Sequence, residues 1–187
     1  LIAKHGEPNK ANVEWLTLLL SEWQLTADLL FADLVLWVPS KQGDFIAVGH
    51  ARPSSAATIF FRDITGETIK KEWLPLAKQA FESGEIAILK TSDSTAGLPT
   101  KLSAIPVRRG SNSTEGSAPI ALITRHTNIA DSRTPNKLQI NYVNCGNELL
   151  TMISEGSFPD YSTPTGPRRG APRANDGLLR LDVDGVV

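Results

Sequence analysis

"LVLWVPSKQGDFIAVGHARP", Leu34–Pro53, is the stretch on which the fold turns. "LVLWVP" (Leu34–Pro39) is a short apolar run closed by proline, and "DFIAVGHARP" (Asp44–Pro53) is a second one. Between them "SKQG" (Ser40–Gly43) has the length and polarity of a hairpin loop, which predicts two antiparallel strands. A hairpin with an apolar face has to be covered by another layer, and the flanking sequence supplies that layer.

Upstream, Val13, Leu16, Leu20, Trp23, Ala27 and Leu30 recur three and four apart, one stripe of a helix from Asn12 to Phe31. Asn12 is the expected N-cap, and the helix should end near Ala32-Asp33. Downstream, "TIFF" (Thr58–Phe61) reads as a third strand or the start of a crossing segment. "EWLPLAKQAFESGE" (Glu72–Glu85) reads as a short helix, with Pro75 in its first turn and Gly84 as its stop. Lys90–Thr100 is expected to be loop. "KLSAIPVRR" (Lys101–Arg109) and "APIALITRH" (Ala118–His126) have strand composition and are joined by the polar loop Gly110–Ser117. From Pro135 to Glu155 the pattern is helical again, with Leu138, Tyr142, Cys145, Leu149 and Met152 stepping four, three, four, three. Gly146 should weaken that helix by roughly 1 kcal/mol relative to alanine. Helix, paired strands, short helix, paired strands, helix: this order gives an α+β domain, an antiparallel sheet covered by N- and C-terminal helices.

Composition narrows function mainly by exclusion. Lys and Arg total 19 against 20 for Asp and Glu, which argues against a general nucleic-acid or membrane-surface binder. No segment reaches the ~18 consecutive apolar residues of a membrane span, and the first ten residues lack a secretion-signal pattern. A cytoplasmic protein is expected. The single Cys145 reads as a reduced, buried thiol. Phosphate loops, GxGxxG, HExxH, CxxC and G-x-S-x-G are missing. His5, His50 and His126 are scattered without a second ligand at metal spacing, so no metal site is expected. Glu82 and Glu85 look like a solvated helix end, and "RRGAPR" (Arg168–Arg173) like a charged linker, with phosphate or acidic-partner contact as its alternative. No catalytic site is expected in this segment.

Two features remain open. Leu16, Leu20 and Trp23, with Leu138, Tyr142, Leu149 and Met152, have the spacing of a dimer seam, and the same spacing serves to cover a sheet. His50, Arg52, Phe60, Trp73, Phe81 and Arg125 form a set that would line a pocket for a planar or anionic small molecule, or else an ordinary core with surface arginines. After Glu155 the composition shifts to Pro, Gly and Arg over residues 156–175, a linker. "GLLRLDVDGVV" (Gly177–Val187) then carries an Asp184-Gly185 hairpin signal with only two residues beyond the turn. The expectation is a longer protein of which this is the front part, cut just inside a second domain.

"SEWQLTADLLFADLVLWVP" (Ser21–Pro39), "PLAKQAFESGEI" (Pro75–Ile86), "PIALITRHTN" (Pro119–Asn128), "ELLTMISEGSFPD" (Glu148–Asp160) and "RANDGLLRLDVDGVV" (Arg173–Val187) resemble the sensory half of actinobacterial cytosolic histidine kinases of the PdtaS type. The resemblance implies a GAF-like sensor domain over 1–155, the linker over 156–175, and the first hairpin of a PAS domain over 176–187. It implies a homodimeric parent that autophosphorylates on histidine with ATP and Mg²⁺. That parent would pass the phosphoryl group, in a two-component phosphorelay, to a response regulator with an ANTAR RNA-binding output. No family catalytic residue falls within this chain. The implied role of the segment is to bias the kinase through a small-molecule signal, with no direct nucleic-acid or membrane contact. The alternative is a ligand-free scaffold that only holds a dimer together.

Overall fold

The computed structural model describes residues 9–89, 93–95, 97–110, 118–130, 134–159 and 185–186. The expected linker, apart from residues 156–159, and the expected PAS hairpin, apart from 185–186, lie outside these residues, as do most of the loop at 110–117 and His5.

The N-terminal stripe forms two helices instead of one, α1 (Lys10–Ser21) and α2 (Trp23–Leu30). The N-cap is Asn9, not Asn12. Its side chain accepts the N–H of Ala11 at 3.0 Å, which satisfies a donor the first turn leaves open. Glu22 breaks the run at φ −101°, ψ 4°. The break lets Leu16 and Leu19 of α1 and Trp23, Ala27 and Leu30 of α2 reach one core, a constraint that periodicity alone does not express. Phe31 closes α2 in the left-handed region at φ 49°, and its ring stacks on Tyr142 at 6.4 Å.

The hairpin forms as expected from β1 (Asp33–Pro39) and β2 (Phe45–Ala51), closed by Ser40 N–H to Asp44 O at 2.7 Å. Thr58–Phe61 is neither strand nor helix. It belongs to an irregular crossing segment over residues 52–73 that runs back along β2, where the Ala47 N–H donates to Glu67 O and the Ile69 N–H to Phe45 O. α3 (Leu74–Ser83) follows, with Pro75 in its first turn and Gly84 left-handed at φ 70°, as expected. Then come β3 (Ala87–Ile88), β4 (Asp93–Thr95), β5 (Leu98–Val107) and β6 (Ala121–Asn128). The stretch Lys90–Thr100, expected as loop, therefore contains β4 and the start of β5, and β3 was not foreseen. Such two- and three-residue strands carry too little pattern to read.

All strand pairs are antiparallel, in the order β2-β1-β6-β5-β3, with β4 also on β5. β1 sits inside the sheet and is covered on both faces, which is why it reads as an unbroken apolar run instead of alternating. One face packs under α1, α2 and α4 (Lys137–Glu155) through Leu34, Leu36, Val48, Ile105, Ala121 and Ile123. The other packs under the crossing segment and α3 through Val35, Trp37, Phe45, Ala47, Leu102 and Leu122.

α4 opens with a reciprocal cap: Asn136 accepts the Gln139 N–H at 2.8 Å while Gln139 accepts the Asn136 N–H at 3.0 Å. Its core contacts are Gly146, Leu150, Ile153 and Ser154. The expected stripe lies to the side of these, with Leu138 57% and Met152 37% exposed, Tyr142, Cys145 and Leu149 half-buried, and Ile140 also exposed. Cys145 is thus a half-buried thiol and not a core one. The cause is Gly146. A Cβ there would stand 2.7 Å from Leu30, so only glycine allows α4 to lie this close to α2, and the helix turns its smallest residue inward.

Candidate functional site

The chemistry-bearing side chains gather on the sheet face away from the three helices. Asp33, Val35 and Trp37 of β1 alternate onto that face, beside Leu122, Thr124 and His126 of β6. His50 reaches it because of a β-bulge: Leu36 pairs with Gly49 but Trp37 with Ala47, leaving Val48 extra. In a regular strand without the bulge, His50 would share a face with Val48 and point at the helices.

At the centre is a cluster of rings. Phe60 stands edge-on to His50 at 5.0 Å, to His126 at 4.9 Å and to Trp73 at 6.2 Å, and Trp73 meets His126 at 4.7 Å. Such edge contacts suit aromatic quadrupoles. Beneath them Trp37 Nε1–H donates to Thr124 Oγ1 at 2.7 Å, and the same hydroxyl lies 2.9 Å from His126 Nε2. Asp33, 1% exposed, anchors the start of the crossing segment: its carboxylate accepts the Thr58 hydroxyl at 2.5 Å and the Ile59 N–H at 2.8 Å. The buried His50 ring lies between two carboxylates, Nε2 at 3.6 Å from Asp33 and Nδ1 at 3.6 Å from Asp63. The hydroxyl and N–H of Thr65 both donate to Asp63 and hold its carboxyl below the ordinary value of 3.8, with His50 and Arg52 adding a smaller attraction.

Above this cluster opens a cleft of about 210 Å³. Its floor and walls are Trp37, Phe60, Ile64 and Trp73, all buried. Its rim carries Phe61, Arg62, Glu67, Thr68 and Lys70. Arg62 is paired with Glu67 at 2.7 Å, while the Lys70 ammonium lies 4.7 Å over the Trp73 ring.

Of the six residues singled out in the sequence, Phe60 and Trp73 line the cleft and His50 touches Phe60 from below. Phe81 lies apart, edge-on to Phe45 at 5.4 Å. Arg52 is exposed, and its carbonyl accepts from Gln24. Arg125 points to the helix side, donating to Asn147 at 2.8 Å, to Thr127 and to Leu30 O, so it ties α2 to α4. Burial pushes its guanidinium down to about 10, which leaves it charged at neutral pH. Leu16, Leu20 and Trp23 pack in the helix-side core.

Sequence reading missed Trp37, Thr124, Lys70 and Asp33. The signals were present: Thr124 and His126 share strand parity, and Lys70 precedes Trp73 by three. Asp33 is an acid placed directly before an apolar strand, where burial is expected only with donors at hand. Among the described residues no group of three His, Cys, Asp or Glu side chains is placed to hold a metal, and no helix is long and apolar enough to cross a membrane.

Comparison with known proteins agrees with this architecture. A family model described as "Histidine kinase PdtaS, GAF domain" matches residues 1–146. The chain is 34% identical over 192 residues to the sensor histidine kinase PdtaS of Mycolicibacterium smegmatis, covering 100% of this chain and 37% of that protein. It is 35% identical over 193 residues to the sensor histidine kinase PdtaS of Mycobacterium tuberculosis, with the same coverage. The chain therefore spans 37% of the length of these curated relatives. A solved structure titled "Sensor region of a sensor histidine kinase" superposes with a TM-score of 0.75 at 31% identity, covering 98% of this chain and 61% of that one. The fold is GAF-like, and the chain belongs to the family of PdtaS histidine kinase GAF domains.

Proposed function

We propose that this chain is the sensory region, GAF then PAS, of an actinobacterial cytosolic two-component histidine kinase. Residues 1–155 form the sensor, 156–175 the linker and 176–187 the start of the PAS domain. The observation that supports this is identity of 34–35% running the whole length of the chain to sensor histidine kinases. The kinase chemistry belongs to a region outside this chain. There ATP and Mg²⁺ supply a γ-phosphoryl group to a histidine nitrogen, leaving ADP, and the phosphohistidine passes it to a response regulator with an ANTAR RNA-binding output. This chain acts on that reaction from a distance, in a homodimer. A small molecule in the aromatic cleft biases the kinase only in so far as its affinity differs between the on and off states.

A second reading, a ligand-free scaffold, is favoured by one observation: the apolar stripe on α4 that stands partly open to solvent at Leu138, Ile140 and Met152. Radiolabelled ATP and Mg²⁺ separate the readings when given to the product of the complete reading frame and to a form lacking residues 9–155. Acid-labile, alkali-stable label on the complete protein, at a rate altered by the deletion, is expected. Absence of such label would refute the kinase reading. A rate altered by the deletion but by no small molecule would leave only the scaffold, and equal rates with and without residues 9–155 would refute both roles.

A further inference from the structure

We infer that the cleft between Trp37 of β1 and the crossing segment takes a small aromatic monocarboxylate, with its ring on Trp37, Phe60 and Trp73 and its carboxylate on the Lys70 ammonium. The inference rests on the reading of this cleft as a sensory site and gives that site a ligand class.

Size sets the first bound. An apolar cavity of about 150 Å³ holds benzene. The 210 Å³ here accept one substituted ring. The walls set the second. Trp37, Phe60 and Trp73 are 1%, 6% and 3% exposed, and the indole N–H of Trp37 is already bound to Thr124, so the walls offer mainly apolar ring surface. Phe61 at the rim is 85% exposed, apolar surface that a bound ring would cover.

Charge sets the third. Two cations and one carboxylate line the rim, and Glu67 neutralises Arg62, which leaves Lys70 without a carboxylate partner among the described residues. A single net positive charge suits a monoanion. Its position, 4.7 Å over the Trp73 ring, puts the ammonium at the mouth while the ring face forms the wall. A carboxylate one bond from an aromatic ring would meet both at once. Lys70 is exposed, so methionine there removes the charge and its contact with the Trp73 ring while leaving an unbranched apolar side chain in place.

The test is a tryptophan-fluorescence and calorimetric titration of this chain with benzoate, 4-hydroxybenzoate and indole-3-carboxylate, against benzamide and cyclic AMP. At least one acid should bind saturably, roughly fivefold or more tighter than benzamide, a margin in line with one partly desolvated charge-assisted contact. Lys70→Met should erase that margin while leaving benzamide affinity and the melting temperature unchanged, and Lys70→Arg should keep it. Failure of all three acids to bind, tighter binding of cyclic AMP, or full acid affinity in Lys70→Met would each overturn the assignment. An acid that binds as described but leaves autophosphorylation of the complete protein unaltered would overturn the sensory reading and leave the ligand class standing.

Discussion

The two faces of the sheet are built from different materials. Under the helices the contacts are aliphatic and close: Leu30 against Gly146, Leu20 against Gly49, where an added Cβ would meet the leucine side chain, and Ile123 with Ile153 in the same core. Under the crossing segment they are aromatic and laced with polar groups, Trp37 to Thr124, Asp33 to Thr58 and Ile59, and Phe60 between two histidines. Close aliphatic packing specifies one structure and leaves no space. Rings and the hydrogen bonds of Asp33 and Trp37 leave a cleft between them while holding the covering segment in place. One face is filled, and the other keeps the cleft on which the proposed sensory role rests.

The difference can be broken from either side. Trp37→Ala should have the largest effect, about 3–5 kcal/mol of stability in urea unfolding, because it empties a fully buried site and removes one of the two partners of the Thr124 hydroxyl. Asp33→Ala should cost about 3 kcal/mol, since it removes the acceptor of two charge-assisted bonds and leaves the Ile59 N–H buried without one. Its signature should be local: amide exchange should accelerate across residues 58–69 before it does in β5 or β6.

On the helix face, Gly146→Ala sets two effects against each other. Helix propensity favours alanine by roughly 1 kcal/mol, while forcing a methyl to 2.7 Å from a leucine that is 1% exposed costs about 1–3 kcal/mol. A net loss of about 1 kcal/mol is expected, and a gain in thermal stability would show that α2 and α4 have room to part. The smallest effect is electrostatic. The Asp63 pKa is lowered by folding, so its contribution is present above pH 3.8 and is lost as pH falls through the lower folded value. Acid unfolding of wild type and Asp63→Ala should therefore converge at the acid end and separate above it.

Much of the helix face was legible in the sequence and much of the cleft face was not. Leu16, Trp23, Ala27 and Leu30 declare themselves by period, and the hairpin by its loop, because helices and paired strands are local patterns. The cleft depends on Val48 being one residue too many, on a crossing segment held by an acid 25 residues earlier in the chain, and on a lysine stacked over a tryptophan. None of these has a period. Phe60, Trp73 and His50 were found because rings and imidazoles draw attention by type, and the same habit drew in Arg125, whose strand parity sends it to the helices. The α4 stripe failed for a related reason: periodicity weighs apolar side chains, whereas the residue that decides which side faces inward is a glycine.

In the proposed sensory role the cleft face biases the kinase, and filling the mouth of the cleft should alter the kinase rate. Thr68→Trp places a large ring at the rim of the cleft from an exposed position, outside both cores. In the complete protein it should change the rate of histidine autophosphorylation by roughly fivefold or more, the scale of an ordinary allosteric coupling, with the melting temperature unchanged. Identical rates for Thr68→Trp and wild type, with the ring shown by fluorescence to sit in the cleft, would contradict it.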